Sequence, residues 1–399
     1  MKLPTHQDVE TLLKRGVAEI ISNEHLTEAL TSGKKLRVKL GIDPTSPTLH
    51  LGLATVLKKL KQFQDLGHTV ILLVGDFTAR IGDPSGQSHQ RRVLTVQEIH
   101  NNLKGYQQQI GRFLDLRKTE WEFNSKWYKK EKFDFFLKLL SSVSYNQIIE
   151  RDDFQKRIKE RQEIAQSELV YPLLQGYDSV VLRADVELGG IDQKFNLVIA
   201  RKIQRFFKQQ PEDVMMLPLL IGLDGKRKMS KSYGNTIDLN EKPASIFGKI
   251  MSLPDGLLSH YFELLTDVAK EEILRMSQKI RKDSRLARDY KFILATKVVS
   301  WLHSSQAAEQ ASREFEAVFK EKKLPQHLLT INLKKGKYNL LDLLNLSGLV
   351  VSKSEARRLV KQGGVDVNGR TIKDWKQGIL IQKDTVLKVG KYKFFKVQV

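Results

Sequence analysis

The spacing of apolar positions changes repeatedly along the chain and predicts alternating helices and strands in its first half. Residues 7–33 carry a helical pattern, and residues 36–42 alternate apolar and polar side chains before a turn, as a strand does. Residues 53–63 return to helical spacing, and residues 70–74 are a continuous apolar run, typical of a strand buried on both faces. Strand, helix and strand within about 40 residues predict a βαβ unit of a parallel sheet.

The same patterns predict the organisation of the following regions. Helical spacing dominates residues 87–165, and residues 180–186 and 215–221 are predicted as further strands. Residues 241–333 carry amphipathic helical patterns and no strand pattern. We therefore expect an α/β protein with a Rossmann-like, doubly wound parallel sheet, followed by an all-α domain.

The C-terminal part is predicted to be a separate small α+β unit. Residues 334–337 are basic and are interpreted as a linker to residues 338–399. Ser352 and Glu355 have the spacing of a capping box at the start of a helix, and Asn368-Gly369 is a typical two-residue hairpin turn. From Lys337 onward there are 13 Lys+Arg and 5 Asp+Glu, so the unit carries a net charge of +8.

Charge and cysteine content narrow the class of partner and the compartment. The chain has 399 residues with 67 Lys+Arg and 46 Asp+Glu, a net charge of +21, which favours a polyanionic partner such as a nucleic acid. A basic but unrelated enzyme is the alternative. The lack of cysteine excludes disulfides and thiolate zinc sites. With no signal-peptide core and no apolar run of membrane-spanning length, we expect a cytoplasmic protein with no membrane partner.

Two separated motifs indicate phosphate chemistry. His50 and Gly52 stand before the predicted helix, where an imidazole can donate a hydrogen bond to an anion at the helix N-terminus. Taken alone, this pair is better explained by a capping histidine. The second motif is the glycine-flanked loop Lys228-Met229-Ser230-Lys231-Ser232, whose lysines suit a transferring phosphoryl group. A solvated basic turn would explain the lysines alone.

Together the two motifs resemble the signatures of class I aminoacyl-tRNA synthetases, which activate an amino acid with ATP and load it onto tRNA. A third stretch, Ile81-Gly82-Asp83-Pro84-Ser85-Gly86, resembles the tyrosyl-tRNA synthetases of that class. In that family the Asp at position 83 contacts the amino group of the amino acid. Without the resemblance, the stretch would be an ordinary crossover loop with Asx turns.

A polar face on an otherwise apolar segment predicts the amino-acid pocket. Tyr171, Gln175 and Asp178 have the i, i+4, i+7 spacing of one helix face. A buried structural network would explain such a face equally well. In the functional interpretation, Asp178 accepts a hydrogen bond from a phenolic hydroxyl, and Tyr171 and Gln175 hold an ammonium group.

The resemblance to tyrosyl-tRNA synthetases of the bacterial or organellar type covers nearly the whole chain. It implies that tyrosine is activated with ATP and Mg²⁺ to tyrosyl-adenylate and then transferred to tRNA(Tyr), without a metal site built by the protein. It also implies phosphate contacts by Thr45 and His50, and stabilisation of the departing pyrophosphate by Lys228 and Lys231. The further implied residues border the two substrates: Gly41, Asp43, Gly52, Gly190, Asp192 and Met229 for ATP, and Asp83, Tyr171, Gln175, Asp178 and Gln193 for tyrosine.

The resemblance further assigns a role to each region. Residues 1–240 would be the catalytic domain, with a helical insertion at about 115–165 that forms the interface of a homodimer. Residues 241–333 would bind the anticodon arm, although a stabilising helical cap would show the same pattern. Residues 338–399 resemble a small RNA-binding domain that also occurs in a ribosomal protein and in pseudouridine synthases. Its predicted tRNA contacts are Arg357, Arg358 and Lys361.

Two positions depart from the family pattern. Leu53 stands where many relatives have His or Asn, and Lys39 stands where some relatives carry a Tyr that reaches the substrate hydroxyl. Two rival functions stay open at this point. A tryptophanyl-tRNA synthetase shares the fold and the lysine loop but would favour a pocket for an indole N–H. Leu53 also suggests an RNA-binding scaffold that has lost catalysis.

Overall fold

The computed structural model describes residues 4–85, 93–320, 329–333, 335–346, 350, 352–382, 385–390 and 393–398. The chain divides into two compact units, Met1–Asn240 with His260–Ile273 and Glu241–Ser259 with Leu274–Val399. Gly86 of the predicted tyrosine motif and Lys334 of the predicted linker lie outside the described residues.

The first unit is organised around a mostly parallel sheet. Its strands are Glu19–Ile21 (β1), Arg37–Ile42 (β2), Thr69–Val74 (β3), Thr119–Phe123 (β4), Val186–Gly190 (β5) and Asp213–Leu217 (β6). The spatial order is β1-β6-β5-β2-β3-β4, and only β1 runs antiparallel to its neighbour. Because the strand order reverses between β2 and β5, the predicted doubly wound sheet is confirmed.

Helices supply most connections between these strands. The helix Leu51–Asp65 follows the predicted amphipathic pattern, since Leu57, Leu60 and Phe63 are fully buried at helical spacing. The helices are His6–Lys14 (α1), Asn23–Thr31 (α2), Leu51–Asp65 (α3), Val96–Leu103 (α4), Tyr106–Ile110 (α5), Ser125–Tyr128 (α6), Phe133–Leu140 (α7), Tyr145–Ile149 (α8), Asp152–Lys159 (α9), Gln166–Leu182 (α10) and Lys194–Phe206 (α11).

Two predicted elements of the first unit were wrong. The single helix predicted over residues 7–33 is α1 and α2 separated by β1, because the chain turns at Gly16, whose φ of +60° cannot continue a helix. The strand predicted over residues 180–186 is instead the last turn of α10. Its apolar residues pack into the core from a helix, and Arg183 ends that helix with a left-handed φ of +48° before β5 begins.

The second unit begins with helices. Phe247 packs its ring against Phe292 and Phe315, with ring centroids 5.1 and 5.4 Å apart. Within the described ranges, no helix of the chain is both long and apolar enough to cross a bilayer. The helices between residues 241 and 320 are Pro243–Met251 (α12), Leu258–Leu265 (α13), Lys270–Lys282 (α14), Ala287–Leu302 (α15) and Ser305–Lys320 (α16). Of these, α13 and α14 are divided between the two units, since residues 260–273 belong to the first.

The C-terminal part of the second unit combines two helices with two small sheets. Its elements are Leu329–Asn332 (β7), Gly336–Asn339 (β8), Leu340–Leu346 (α17), Lys353–Lys361 (α18), Val365–Val367 (β9), Arg370–Thr371 (β10), Gly378–Ile381 (β11), Val386–Val389 (β12) and Lys393–Gln398 (β13). One sheet has the order β10-β9-β12-β13-β7, and the other pairs β11 with β8.

This part corrects two predictions and confirms a third. β7 lies in the region predicted to lack strands, and β8 begins inside the predicted linker. Both strands are short and pair with segments much later in the chain, so local patterns did not reveal them. The hairpin turn is confirmed: Asn368 and Gly369 have φ of +48° and +77° and connect antiparallel β9 and β10.

Candidate active site

A cavity of about 240 Å³ opens at the carboxyl ends of β2 and β5, where the strand order reverses. Doubly wound sheets bind their ligands at this position. Leu53 and Lys39, the two departures from the family pattern, also line the cavity. The predicted substrate residues in its wall are Gly41, Asp43, Thr45, Asp83, Tyr171, Gln175, Asp178, Gly190 and Gln193.

Asp178 lines this cavity although its side chain is almost fully buried. Its carboxylate accepts hydrogen bonds from the hydroxyl of Tyr128 at 2.8 Å, Nε1 of Trp127 at 3.0 Å and Nδ2 of Asn124 at 3.2 Å. Burial raises the pKa of Asp178 to about 6, while the charge of Lys39 and the three donors oppose that rise. The polar face on α10 is therefore both a buried network and a wall of the cavity.

The other two residues of the polar face hold carboxylates of neighbouring segments. The Tyr171 hydroxyl donates to Oδ2 of Asp43 at 2.8 Å, and the Thr78 hydroxyl donates to Oδ1 of the same carboxylate at 2.9 Å. Gln175 donates from Nε2 to Oε1 of Glu187 at 3.2 Å. These contacts tie α10 to the strand ends that border the cavity.

Asp83 faces the cavity from the loop after β3. Its Oδ2 accepts a hydrogen bond from Nε2 of Gln193 at 2.7 Å, and its Oδ1 accepts one from the Ser85 hydroxyl at 2.6 Å. Asn196 on α11 also approaches Oδ1, at 3.3 Å. The structure thus brings into direct contact two residues, Asp83 and Gln193, that the sequence assigned from separate motifs.

His50 caps the N-terminus of α3. Its Nδ1 accepts a hydrogen bond from the backbone N–H of Gly52 at 3.1 Å. Burial, reinforced by the charge of Lys231, lowers the pKa of His50 to about 4, so the imidazole is neutral at pH 7. Since Nδ1 is the acceptor, the proton is on Nε2, which is therefore the hydrogen-bond donor. Gly52 is required here, because a Cβ at that position would stand 2.9 Å from the His50 ring.

Both lysines of the loop between β6 and α12 are paired with carboxylates. Nζ of Lys228 lies 2.5 Å from Oδ2 of Asp192, a residue just after β5. Lys231 forms an ion pair with Asp238 and donates to the hydroxyl of Thr48 at 2.5 Å. The side chains of Lys228 and Lys231 are 22% and 32% exposed, so both ion pairs are open to solvent.

The remaining predicted nucleotide residues join these contacts. Met229 is buried, and a Cβ added at Gly52 would lie 3.8 Å from the Met229 Cβ. A Cβ added at Gly190 would stand 2.6 Å from Oδ1 of Asp192, so this carboxylate lies against the glycine backbone. Gly52 and Met229 therefore lie around the His50 cap, whereas Gly190 lies beside Asp192, just after β5.

The predicted tRNA contacts lie in the second unit, on α18. Arg357, Arg358 and Lys361 are exposed, whereas Ala356 and Val360 on the same helix are buried. The guanidinium of Arg357 stacks over the ring of Trp375, with Cζ 4.2 Å from the ring centroid. The helix thus presents a basic face with an aromatic neighbour.

Several neighbours of the site were not predicted from the sequence. They include the donors to Asp178, and the Asp238 and Thr48 partners of Lys231. Trp127 and Tyr128 lie between Lys126 and Lys129, and the polar groups of their side chains were the only available signal. Asp238 stands alone in its segment, and no sequence pattern connects it to the loop.

Comparison with known proteins identifies the relatives of this chain. The family model described as tRNA synthetases class I (W and Y) matches residues 31–320, and the S4 domain model matches residues 339–377. A tyrosine--tRNA ligase of Thermotoga maritima is 46% identical over 98% of this chain and 98% of the relative. One of Carboxydothermus hydrogenoformans is 47% identical over 97% of this chain and 96% of the relative.

Solved structures share the fold at lower identity. A tyrosyl-tRNA synthetase of Archaeoglobus fulgidus, complexed with L-tyrosine, has a TM-score of 0.62 and 22% identity over 77% of this chain and 99% of that chain. A C-terminally truncated mitochondrial tyrosyl-tRNA synthetase of Aspergillus nidulans has a TM-score of 0.64 and 20% identity over 78% of this chain and 94% of that chain.

Proposed function

Because this chain belongs to the class I tRNA synthetases of the W and Y group, we propose that it attaches tyrosine to tRNA(Tyr) at the expense of ATP. The tyrosine carboxylate attacks the α-phosphorus of ATP, and the bond to the bridging oxygen breaks to release pyrophosphate. A terminal ribose hydroxyl of the tRNA then attacks the carbonyl carbon of tyrosyl-adenylate, and AMP leaves. The protein supplies no nucleophile, so catalysis consists of positioning and charge stabilisation.

One observation carries this proposal: the polar face of α10 lines the same cavity as Thr45 and Gly190. A tyrosine bound with its phenolic hydroxyl at Asp178 would point its carboxylate toward the nucleotide residues at the strand ends. Asp178 accepts the phenolic hydroxyl in this arrangement, beside its three protein donors, and an amino acid without that hydroxyl would leave one acceptor position of a buried carboxylate unfilled. Asp83, Tyr171, Gln175 and Gln193 hold the ammonium group of the substrate.

The nucleotide is bound by the residues around His50 and Asp192. The neutral His50 ring donates from Nε2 to a phosphate oxygen, and Thr45 contributes its hydroxyl to the same group. Asp192 receives the ribose hydroxyls. Lys228 and Lys231 exchange their carboxylate partners for the departing pyrophosphate. The other residues at the nucleotide are Gly41, Asp43, Gly52, Gly190 and Met229.

Mg²⁺ enters with the nucleotide in this proposal. Among the described residues no group of three carboxylate or imidazole side chains is arranged to hold a metal ion. The ion would therefore be held by the phosphates of ATP, close to Lys228 and Lys231, and would help to neutralise the charge that develops on pyrophosphate.

We propose that the protein works in the cytoplasm. We also propose that its three regions have separate roles. Residues 1–240 form the catalytic domain, residues 241–333 bind the anticodon arm, and residues 338–399 bind RNA. The basic face of Arg357, Arg358 and Lys361 supports the last of these assignments, because exposed cations beside an aromatic ring suit a nucleic-acid backbone.

The helical insertion at 115–165 is proposed as the interface of a homodimer. Phe133, Leu137 and Leu140 follow one face of α7, and their surfaces are 72%, 51% and 38% exposed. Tyr145 on α8 is 64% exposed. Apolar groups clustered in this way mark an interaction surface.

Sedimentation equilibrium should give twice the chain mass of 45.8 kDa, and Phe133→Glu with Leu137→Glu should give a monomer. A monomeric wild-type protein would contradict the interface.

The decisive experiment is ATP–pyrophosphate exchange with each amino acid in turn. We expect exchange with tyrosine alone. Exchange with tryptophan would assign the chain to the other branch of the W and Y group. A folded protein without exchange for any amino acid would identify it as an RNA-binding scaffold.

A further inference from the structure

Lys39 is a fully buried lysine in the wall of the cavity, on β2. Its Nζ lies 2.7 Å from the Ser179 hydroxyl, 3.0 Å from Oε1 of Glu187 and 3.3 Å from the backbone carbonyl of Gln175. An ammonium group has three protons, so these three acceptors use all of its donors. Lys39 therefore cannot donate a hydrogen bond to a substrate hydroxyl without giving up one of these partners.

The surroundings of Lys39 are rich in buried carboxyl groups. Ser179 lies 3.1 Å from both Glu187 and Glu212, and Asp178 is its neighbour on α10. Burial raises the pKa of Glu212 well above its usual range, and the neighbouring Glu187 adds to the effect. Burial disfavours the charge on Lys39, but the carboxylates outweigh it and raise the pKa of Lys39. Lys39 is thus the cation that faces three carboxyl groups, Glu187, Glu212 and Asp178.

We propose that Lys39 is a positioning residue that keeps Asp178 ionised and thereby makes it the acceptor for the phenolic hydroxyl of tyrosine. This inference rests on the proposed function and adds a specificity-determining residue to it. Lys39 contacts Gln175 and Ser179, which stand on either side of Asp178 along α10, so it acts on Asp178 through charge rather than through contact with the substrate. An opposite charge favours the ionised form of a carboxyl group, and the effect is large where water is excluded.

The remaining groups around Asp178 cannot replace this charge. Tyr128, Trp127 and Asn124 are neutral donors, and the neighbouring Tyr177 donates its hydroxyl hydrogen bond to Glu131. Glu187 and Glu212 are acidic and would disfavour a second carboxylate. Without Lys39, three buried carboxyl groups would share a site that has no cation among these neighbours. A protonated Asp178 would then use one oxygen as a donor instead of an acceptor.

The test is the pH dependence of the KM for tyrosine in ATP–pyrophosphate exchange, measured from pH 5.5 to 8.5 for wild type, Lys39→Met and Lys39→Gln. The pKa of Asp178 is raised to about 6, so the group is ionised above that pH, and the wild-type KM should rise as the pH falls through it. In both variants the rise should begin at least one pH unit higher. A shift of one unit corresponds to roughly a tenfold higher KM at the intermediate pH. The kcat at saturating tyrosine should change less than the KM.

Two further variants separate charge from packing. Lys39→Arg keeps the cation and should keep the midpoint of the KM profile near that of wild type. Lys59→Met removes another buried lysine, which donates to the carbonyls of Leu12 and Arg15 and does not line the cavity. It should leave the midpoint unchanged even if it lowers the melting temperature.

The outcomes distinguish this inference from the function on which it rests. An unchanged midpoint in folded Lys39→Met or Lys39→Gln, with KM raised equally at every pH, would overturn the role of Lys39 and leave tyrosine activation intact. Lys39→Gln has nearly the length of lysine and retains donors, so it tests the charge if Lys39→Met does not fold. Absence of tyrosine exchange in the wild-type protein at every pH would instead contradict the proposed function.

Discussion

The amino-acid end of the site lies in the wall of the cavity and holds its charges in the protein interior. The phosphate end, formed by the lysine loop and its carboxylate partners outside that wall, holds its charges at the solvent boundary. Lys39, Asp178 and Glu187 are at most 2% exposed, and Lys39 and Glu187 are linked directly and through Ser179. Lys228 and Lys231, with their partners Asp192 and Asp238, are between 22% and 32% exposed. The two ends use the same kinds of residue in opposite environments.

The difference shows how one site can combine selectivity for the amino acid with rapid exchange of phosphate groups. Removing one partner of a buried ion pair costs roughly 3–5 kcal/mol, so the amino-acid end must keep its arrangement. An exposed ion pair contributes only about 0–1 kcal/mol, so a nucleotide phosphate can replace Asp192 or Asp238 at little cost. The amino-acid end is thus built to stay fixed, and the phosphate end is built to exchange partners.

Lys228→Ala with Lys231→Ala should have the largest effect and tests the phosphate end. We expect the rate of adenylate formation to fall by more than about 10³-fold, because each lost charge donor costs roughly 10²–10³. The melting temperature and the affinity for tyrosine should change little, since the lost ion pairs are partly exposed. Single-turnover kinetics and calorimetry measure these quantities.

The matched control is Lys226→Ala, which removes an exposed cation from the same loop. It should leave the activation rate within about twofold. If the double variant instead lost several degrees of melting temperature, the phosphate end would be as structural as the amino-acid end, and the comparison would fail.

Asp178→Ala tests the amino-acid end, and both activity and stability should suffer. The kcat/KM for tyrosine should fall about 100-fold or more, with little gain for phenylalanine, because the pocket keeps its other polar groups. The free energy of unfolding should fall by about 2–4 kcal/mol, since Tyr128, Trp127 and Asn124 lose their shared acceptor. Denaturant unfolding and exchange kinetics provide the two readings.

Asp213→Ala is the control for this variant. Asp213 is also buried and holds His25 at 2.8 Å, but it does not line the cavity. It should lower stability and leave the KM for tyrosine unchanged. An unaltered tyrosine kcat/KM in Asp178→Ala would refute the assignment of the phenol acceptor.

Leu53→His should raise the rate of adenylate formation about tenfold, because the imidazole would add one hydrogen bond to a charged phosphate group. Leu53 lines the cavity and is only partly buried, so an imidazole there would meet open space rather than a packed core. Tyrosine affinity should stay constant. An equal or slower single-turnover rate would show that the surroundings of Leu53 already compensate for the missing donor.

Arg358→Gln with Lys361→Gln should have the smallest effect and leave both ends of the cavity unchanged. The KM for tRNA should rise severalfold, and the slope of log KM against log salt should become shallower, because two phosphate contacts no longer release counterions. Pyrophosphate exchange should be unaltered. A drop in exchange would mean that these cations act on activation rather than on RNA binding.

The sequence predicted much of the cavity because its residues follow local rules. The buried strand at 70–74, the polar face at Tyr171, Gln175 and Asp178, and Gly52 beside His50 are each recognisable within a short window. The predicted sheet is therefore confirmed, and nine of the residues predicted to border the substrates line the cavity. Errors occurred where two elements have the same local pattern, as in the apolar end of α10, which was predicted as a strand.

The missed contacts depend on chain segments that are distant in sequence. Lys39 meets Glu187 and Ser179 only because β2 and β5 are neighbours in the sheet. Asp238 reaches Lys231 only through the return of the loop toward α3. Such pairings follow from topology, so the sequence could name Lys39 and Lys231 but not Glu187 and Asp238, the carboxylates that hold them.

The pairing of β7 with β13 has a practical consequence for anyone who moves the C-terminal module into another protein. These strands are parallel neighbours at one edge of the sheet, so the module starts and finishes at the same edge. A graft beginning at 339, where the family match begins, would omit β7 and expose the backbone of β13 as an open edge. Open edges recruit strands from other molecules. A transplantable segment should therefore begin before Leu329.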